Sequence, residues 1–74
     1  MLTERQKDDL IVVKTRMESV LNDLLSLHNN LGYDVEHQIR TLNFGLNALY
    51  DVIGITQHYH VGKNDYGDIV RKEL

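Results

Sequence analysis

The chain has 74 residues and a formal net charge of −3, and it contains neither cysteine nor proline. This length predicts one small domain, residues 1–74, with a marginal core. The missing cysteines exclude disulfides, thiolate metal sites and a cysteine nucleophile. The negative charge argues against a nucleic-acid binder with a broad basic face, and the absence of a long apolar run or signal-peptide segment predicts a cytoplasmic protein with no membrane partner.

The first predicted element is a helix over residues 3–31. Thr3 and Gln6 have the spacing of a capping box, and Gly32 suits the left-handed residue that follows a helix. Between them, apolar residues recur at alternating spacings of three and four, which places them on one side of a helix: Leu10, Val13, Met17, Val20, Leu24, Leu27 and Leu31.

A second helix is predicted over residues 34–61, with Asp34 as its N-cap. Its apolar stripe is Val35, Ile39, Leu42, Leu46, Leu49 and Ile53, extended by Thr56 and His60. Residues 62–67 are rich in turn formers and predict a linker. Asp68 then suits the N-cap of a short C-terminal helix over residues 68–73.

These elements predict an all-α fold, an antiparallel helical hairpin with a short third helix. The second helix carries apolar residues on a second face, so it needs a second neighbour besides the first helix. We interpret that neighbour as another copy of the chain, giving a homo-oligomer built as a four-helix or larger bundle. A groove for a different protein is the alternative. The predicted contact residues are Phe44, Gly45, Ala48, Val52 and Ile55.

No residue pattern indicates catalysis or a bound metal or cofactor. His58 and His60 are two residues apart, so on a helix they point in different directions and cannot share one ion. The serines of the first helix lack a glycine elbow, and no glycine-rich phosphate loop precedes a helix. We therefore predict a protein that is not an enzyme.

Three cations near the apolar seams allow two interpretations: Lys14, Arg16 and Arg40. In the first, their stems cover the edges of the core and their charged groups form salt bridges at the surface. In the second, two copies bring them together across a dimer axis. Such a pocket, with aromatic walls, would suit a ligand with phosphates and flat bases.

Two stretches resemble the small all-helical phage proteins that sequester cyclic-nucleotide alarm signals, the anti-CBASS sponge family. One is Leu2-Thr3 with Val13-Lys14 at the family's spacing. The other is the helical run Gly45-Leu46-x-Ala48-Leu49-x-x-Val52-Ile53-Gly54. The family's lysine at the first stretch holds a ligand phosphate, so the resemblance implies that role for Lys14. The family's base-stacking tyrosine, just before Leu-Thr, has no counterpart here. The aromatic wall would then come from Tyr33, Tyr50 or Tyr59.

The resemblance implies a non-catalytic sponge that buries a nucleotide-derived immune second messenger between subunits in the host cytoplasm. Sequestration without turnover would lower the free signal below the threshold of its effector. The alternative is a small phage- or plasmid-type regulator that docks on a host protein through the apolar face of the second helix. A structural assembly subunit is a third interpretation.

Overall fold

The computed structural model describes residues 1–74 and contains two helices followed by a β-hairpin. The elements are, in chain order, α1 (Glu4–Leu31), α2 (Glu36–Ile53), β1 (Tyr59–Lys63) and β2 (Ile69–Glu73). The strands pair antiparallel, with Val61 opposite Arg71. The predicted helical hairpin is confirmed, and the fold is mostly helical. The prediction of an all-α chain is wrong because the last third forms strands.

The second helix ends eight residues before the predicted boundary at residue 61. Gly54 has φ 95°, in the left-handed region that glycine favours, and its N–H bonds the carbonyl of Tyr50 at 2.9 Å. The chain leaves the helical path there, so Thr56 and His60 do not continue the stripe. The predicted short helix over residues 68–73 is wrong, since β2 lies there, and of the predicted linker over residues 62–67 the part after Lys63 forms the turn while Gly62 and Lys63 end β1.

The helix boundaries follow from their caps. At the start of α1, the hydroxyl of Thr3 accepts from the N–H of Gln6, and the side chain of Gln6 accepts from the N–H of Thr3. This capping box is as predicted, and so is Gly32 at the end, with φ 75°. At the start of α2 the cap residue is Val35, which makes no side-chain cap bond, so the predicted role of Asp34 is wrong.

The core lies where both helices meet the β-hairpin. Its fully buried members come from three elements: Leu21, Ile39, Leu46, Tyr50 and Ile69. The helical members belong to, or lie beside, the predicted stripes, whereas Ile69 comes from β2. Partly buried apolar side chains from both helices and β1 pack around them. Burial of these apolar surfaces is the main force that joins the hairpin to the helices.

Asparagine amides fasten the β-hairpin to the helices. Asn29 of α1 donates to the carbonyl of Ile69 at 2.8 Å and accepts from its N–H at 2.9 Å. Asn47 of α2 donates to the carbonyl of Tyr59 at 2.7 Å and accepts from its N–H at 3.0 Å. Each amide satisfies outward-facing backbone groups of a strand edge, as a neighbouring strand would. The bonds hold the hairpin against one side of the helix pair.

The opposite side of the helix pair is left uncovered by the chain. There, α1 and α2 run side by side, and a Cβ added at Gly45 would lie 4.0 Å from Cε of Met17. With 28 residues against 18, α1 also extends past the end of α2. Neither helix combines the length and the apolar content needed to cross a bilayer. We call this uncovered side the open helical face.

Candidate functional site

Side chains from all four elements meet where β2 crosses the helices. We call this group the Arg71 cluster, and its members are Lys14 and Glu18 from α1, Asn43 and Tyr50 from α2, Tyr59 from β1 and Arg71 from β2. Inward-facing residues alternate along each strand, which brings Tyr59 and Arg71 to the same face of the hairpin. On α1, Lys14 and Glu18 are four residues apart and therefore neighbours.

The guanidinium of Arg71 is the centre of the cluster. It lies 4.0 Å from the ring centroid of Tyr59, in a cation–π contact. Its Nε donates to Oδ1 of Asn43 at 3.0 Å, and its Nη2 donates to the hydroxyl of Tyr50 at 2.6 Å. The planar fork of arginine serves these partners at once, which a lysine ammonium would not do in the same geometry.

One carboxylate lies between the two cations of the cluster. Glu18 accepts from Nζ of Lys14 at 2.9 Å and from the hydroxyl of Tyr50 at 2.6 Å. The second cation is Arg71, whose Nη1 lies 4.0 Å from Oε2 of Glu18. Two cations and one anion leave the cluster with a net positive charge, within a chain that is negative as a whole.

The hydrogen bonds shift two pKa values in the cluster. Burial alone would raise the pKa of Glu18, but the bonds from Tyr50 and Lys14 and the nearby positive charges outweigh it, so the pKa lies below its ordinary value. Burial, together with the bond to Glu18, raises the pKa of Tyr50. At neutral pH the carboxylate is therefore ionised and the phenol keeps its proton.

The structure brings together three of the six predicted ligand residues, Lys14, Tyr50 and Tyr59. Of the others, Arg40 lies along β1, where it bonds the carboxylate of Glu36 and the carbonyl of Val61. Arg16 is exposed on α1. Tyr33 is exposed at the bend between the helices.

Sequence reasoning missed three members of the cluster, Glu18, Asn43 and Arg71. If residues 69–73 are predicted as a strand, Arg71 falls on the same face as Ile69, because alternate residues of a strand share a face. A helix over the same residues places Ile69 and Arg71 on different sides, so the predicted short helix did not indicate a role for Arg71.

A second surface is a row of exposed side chains on α2. Phe44 is 77% exposed, Val52 is 56% exposed, and Ala48 between them is also exposed. The spacing of four residues puts all three on one side of the helix. We call this row the α2 ridge. Of the other predicted contact residues, Ile55 packs against the core instead, and Gly45 is partly covered.

Beside the α2 ridge, the open helical face contains a shallow concavity of 410 Å³. Residues of both helices line it: Leu24, His37, Gln38, Thr41, Leu42 and Gly45. The lining includes no carboxylate, lysine or arginine. The surface is therefore suited to contacts with apolar side chains.

Of the histidines, His37 lines the concavity of the open helical face. His58 is bonded to the carboxylate of Asp51, with 2.7 Å between Nε2 and Oδ1. No three histidine or carboxylate side chains are grouped so that they could hold a metal ion. The chemistry that the structure offers is therefore that of the Arg71 cluster and the open helical face.

No family model, curated protein or solved structure matches this chain.

Proposed function

We propose that the chain is a non-catalytic docking protein that inserts the α2 ridge into an apolar groove of a partner protein. The observation that carries this proposal is the exposure of Phe44, at 77%, on a helix whose opposite side is fully buried. A large aromatic ring in water forgoes the free energy that burial would provide. Anchors four residues apart are the pattern by which a helix enters a groove.

The charges around the α2 ridge specify the partner further. From Thr41 to Ile55, the only charged side chain is Asp51, which lies beside Val52. The chain as a whole has a net charge of −3. The complementary surface is an apolar groove on a basic protein, because the net negative charge of the chain favours that encounter. The protein would act by occupying that groove and excluding its usual ligand.

Photo-cross-linking from position 44 tests the proposal. With a benzophenone amino acid at position 44, in cells of the natural host, we expect one discrete adduct with another protein. The matched control is position 72, where Lys72 is exposed on the β-hairpin, and it should give none. The purified partner should bind the wild type at least about tenfold more tightly than Phe44→Ala, as expected for a buried aromatic anchor.

Two results would contradict docking through the α2 ridge. One is an equal set of adducts from positions 44 and 72. The other is an adduct only at twice the mass of the chain, which would assign the ridge to contacts between copies, as the sequence predicts.

A second candidate function is the sequestration of a nucleotide-derived second messenger. The clustering of Lys14, Tyr50 and Tyr59 with the second cation Arg71 favours it, since cations beside aromatic rings are what a ligand with phosphates and flat bases requires. A ligand phosphate would have to replace Glu18 as the partner of Lys14. Binding without turnover would lower the concentration of free signal.

Calorimetry with cyclic dinucleotides, cyclic trinucleotides and cyclic ADP-ribose isomers tests this second candidate. If a phosphate bonds Lys14, Lys14→Ala should weaken binding by about tenfold to a hundredfold, because a charge-assisted bond contributes about 1.5–3 kcal/mol. Lys7→Ala removes a cation elsewhere on α1 and should leave the affinity unchanged. Absence of binding by the wild type would eliminate the sponge function.

A further inference from the structure

We propose that two copies of this chain associate through α1, antiparallel about a two-fold axis that passes beside Val20. The inference uses the α1 side of the open helical face. It does not depend on docking through the α2 ridge, and it moves the contact between copies from α2, where the sequence predicts it, to α1. Three observations carry it: an exposed apolar row, two unpaired opposite charges beside the row, and the extension of α1 past α2.

The apolar row lies on the part of α1 that the rest of the chain leaves uncovered. Val13 is 45% exposed and Val20 is 50% exposed, although both belong to the apolar stripe of the helix. They are seven residues apart and so lie one above the other on the same side. Leu27 continues the row and is partly exposed. In the single chain these apolar side chains remain in water, whereas a second helix packed against α1 would bury them.

Arg16 and Asp23 flank the row on its outer side. Arg16 is four residues before Val20 and Asp23 is three after it, so both are neighbours of Val20 on the helix surface. Both are exposed, and neither forms an ion pair within the chain. Within the chain, Lys14 pairs with Glu18 and Arg40 with Glu36, so those charges are already satisfied, whereas Arg16 and Asp23 are available to a partner.

A two-fold arrangement pairs these charges with each other. In two antiparallel helices that cross beside Val20, Arg16 of each copy lies next to Asp23 of the partner subunit, so one axis creates two ion pairs. A self-complementary patch of this kind is the requirement for a closed dimer. Parallel helices in register would instead place like charges side by side, which is unfavourable.

The position of the axis also accounts for the length of α1. Val20 lies near the middle of Glu4–Leu31, so an antiparallel copy overlaps nearly the whole helix. The N-terminal segment that extends past α2 then packs beside the C-terminal half of the partner's α1. There, Val12 and Leu31 are exposed in the single chain, at 49% and 65%. A dimer that crossed near either end would leave these side chains in water.

Charge reversal tests the proposal by sedimentation equilibrium, with circular dichroism to establish that each variant is folded. The wild type should be a dimer at micromolar concentration. Arg16→Glu and Asp23→Lys should each weaken dimerisation by about tenfold, because each replaces two attractive pairs with two repulsive ones. The double variant, Arg16→Glu with Asp23→Lys, should restore the wild-type affinity. Lys72→Glu changes charge to the same extent on the β-hairpin and should have no effect.

The possible results distinguish the antiparallel α1 dimer from a monomer and from a dimer that forms through α2. A wild type that is still monomeric at about 100 μM would overturn the α1 dimer, because the expected dimer forms at micromolar concentration. A double variant no tighter than the single ones would show that the two charges do not face each other, which also overturns it. Weakening by Ala48→Glu alone would place the contact on α2 instead. A contact on α2 would also give an adduct at twice the chain mass from position 44, whereas the other results leave the cross-linking expected from that position unchanged.

Discussion

Replacing Arg71 with alanine is expected to lower the free energy of unfolding by about 3 kcal/mol. The substitution removes the bonds to Asn43 and Tyr50 and the cation–π contact with Tyr59, and it leaves Oδ1 of the buried Asn43 without a partner. A domain of this size has a total stability of roughly 5 kcal/mol, so most of it would be lost. Urea denaturation followed by circular dichroism measures the change.

Lys72→Ala is the matched control for Arg71. Lys72 is the next residue of β2 and its side chain is exposed on the opposite face of the strand, so its loss should change the stability by less than about 0.5 kcal/mol. Arg71→Lys should fall between the two, because a lysine keeps the charge but cannot serve both Asn43 and Tyr50. Equal stabilities of Arg71→Ala and Lys72→Ala would show that the cluster does not hold the hairpin to the helices.

The helical hairpin could be predicted because its signal is local and repeated. Seven stripe positions in α1 specify one side of a helix, and the capping box and Gly32 specify its ends. Such features depend on neighbours three or four residues away, so the sequence displays them directly. The predicted N-cap of α2 is wrong because aspartate is a residue type that often caps helices, but the bend between the helices places Val35 at that position.

The β-hairpin could not be read from the same pattern. Thr56 and His60 fall at helical spacing after Ile53, and they concealed the end of α2 at Gly54. Strand formation depends on contacts that are distant in the chain. Asn29 bonds Ile69 across forty residues, and Asn47 bonds Tyr59 across twelve. A sequence gives no direct measure of such pairings, and β-propensity depends on them.

Only part of the candidate site could be predicted, because its assembly also depends on contacts that are distant in the chain. Lys14, Tyr50 and Tyr59 could be selected as a cation and two aromatic side chains, but their meeting point depends on Arg71, which reaches them only as a strand residue. The residues of the α2 ridge, Phe44, Ala48 and Val52, were selected as the second apolar face of a helix, and they lie uncovered in the folded chain. What covers them, a second copy or another protein, is a property of the partner surface and not of local spacing.

Replacing Leu46 with alanine is expected to lower the free energy of unfolding by about 2–5 kcal/mol. Leu46 is 0% exposed, at the centre of the core cluster between α1 and α2, so truncation creates a cavity as well as losing apolar burial. Thermal melts followed by circular dichroism measure the loss. For a domain this small, a loss of this size lowers the melting temperature markedly.

Phe44→Ala is the informative comparison, since it removes a larger side chain only two residues away on the same helix. Phe44 is 77% exposed and contributes little to the fold, so the melting temperature should stay within a few degrees of the wild type. A loss comparable to that of Leu46→Ala would mean that the ring is packed in the folded chain and is not free to dock. If the fold is unchanged and binding to the purified partner is weakened, the ring is kept exposed for a partner and not for the core.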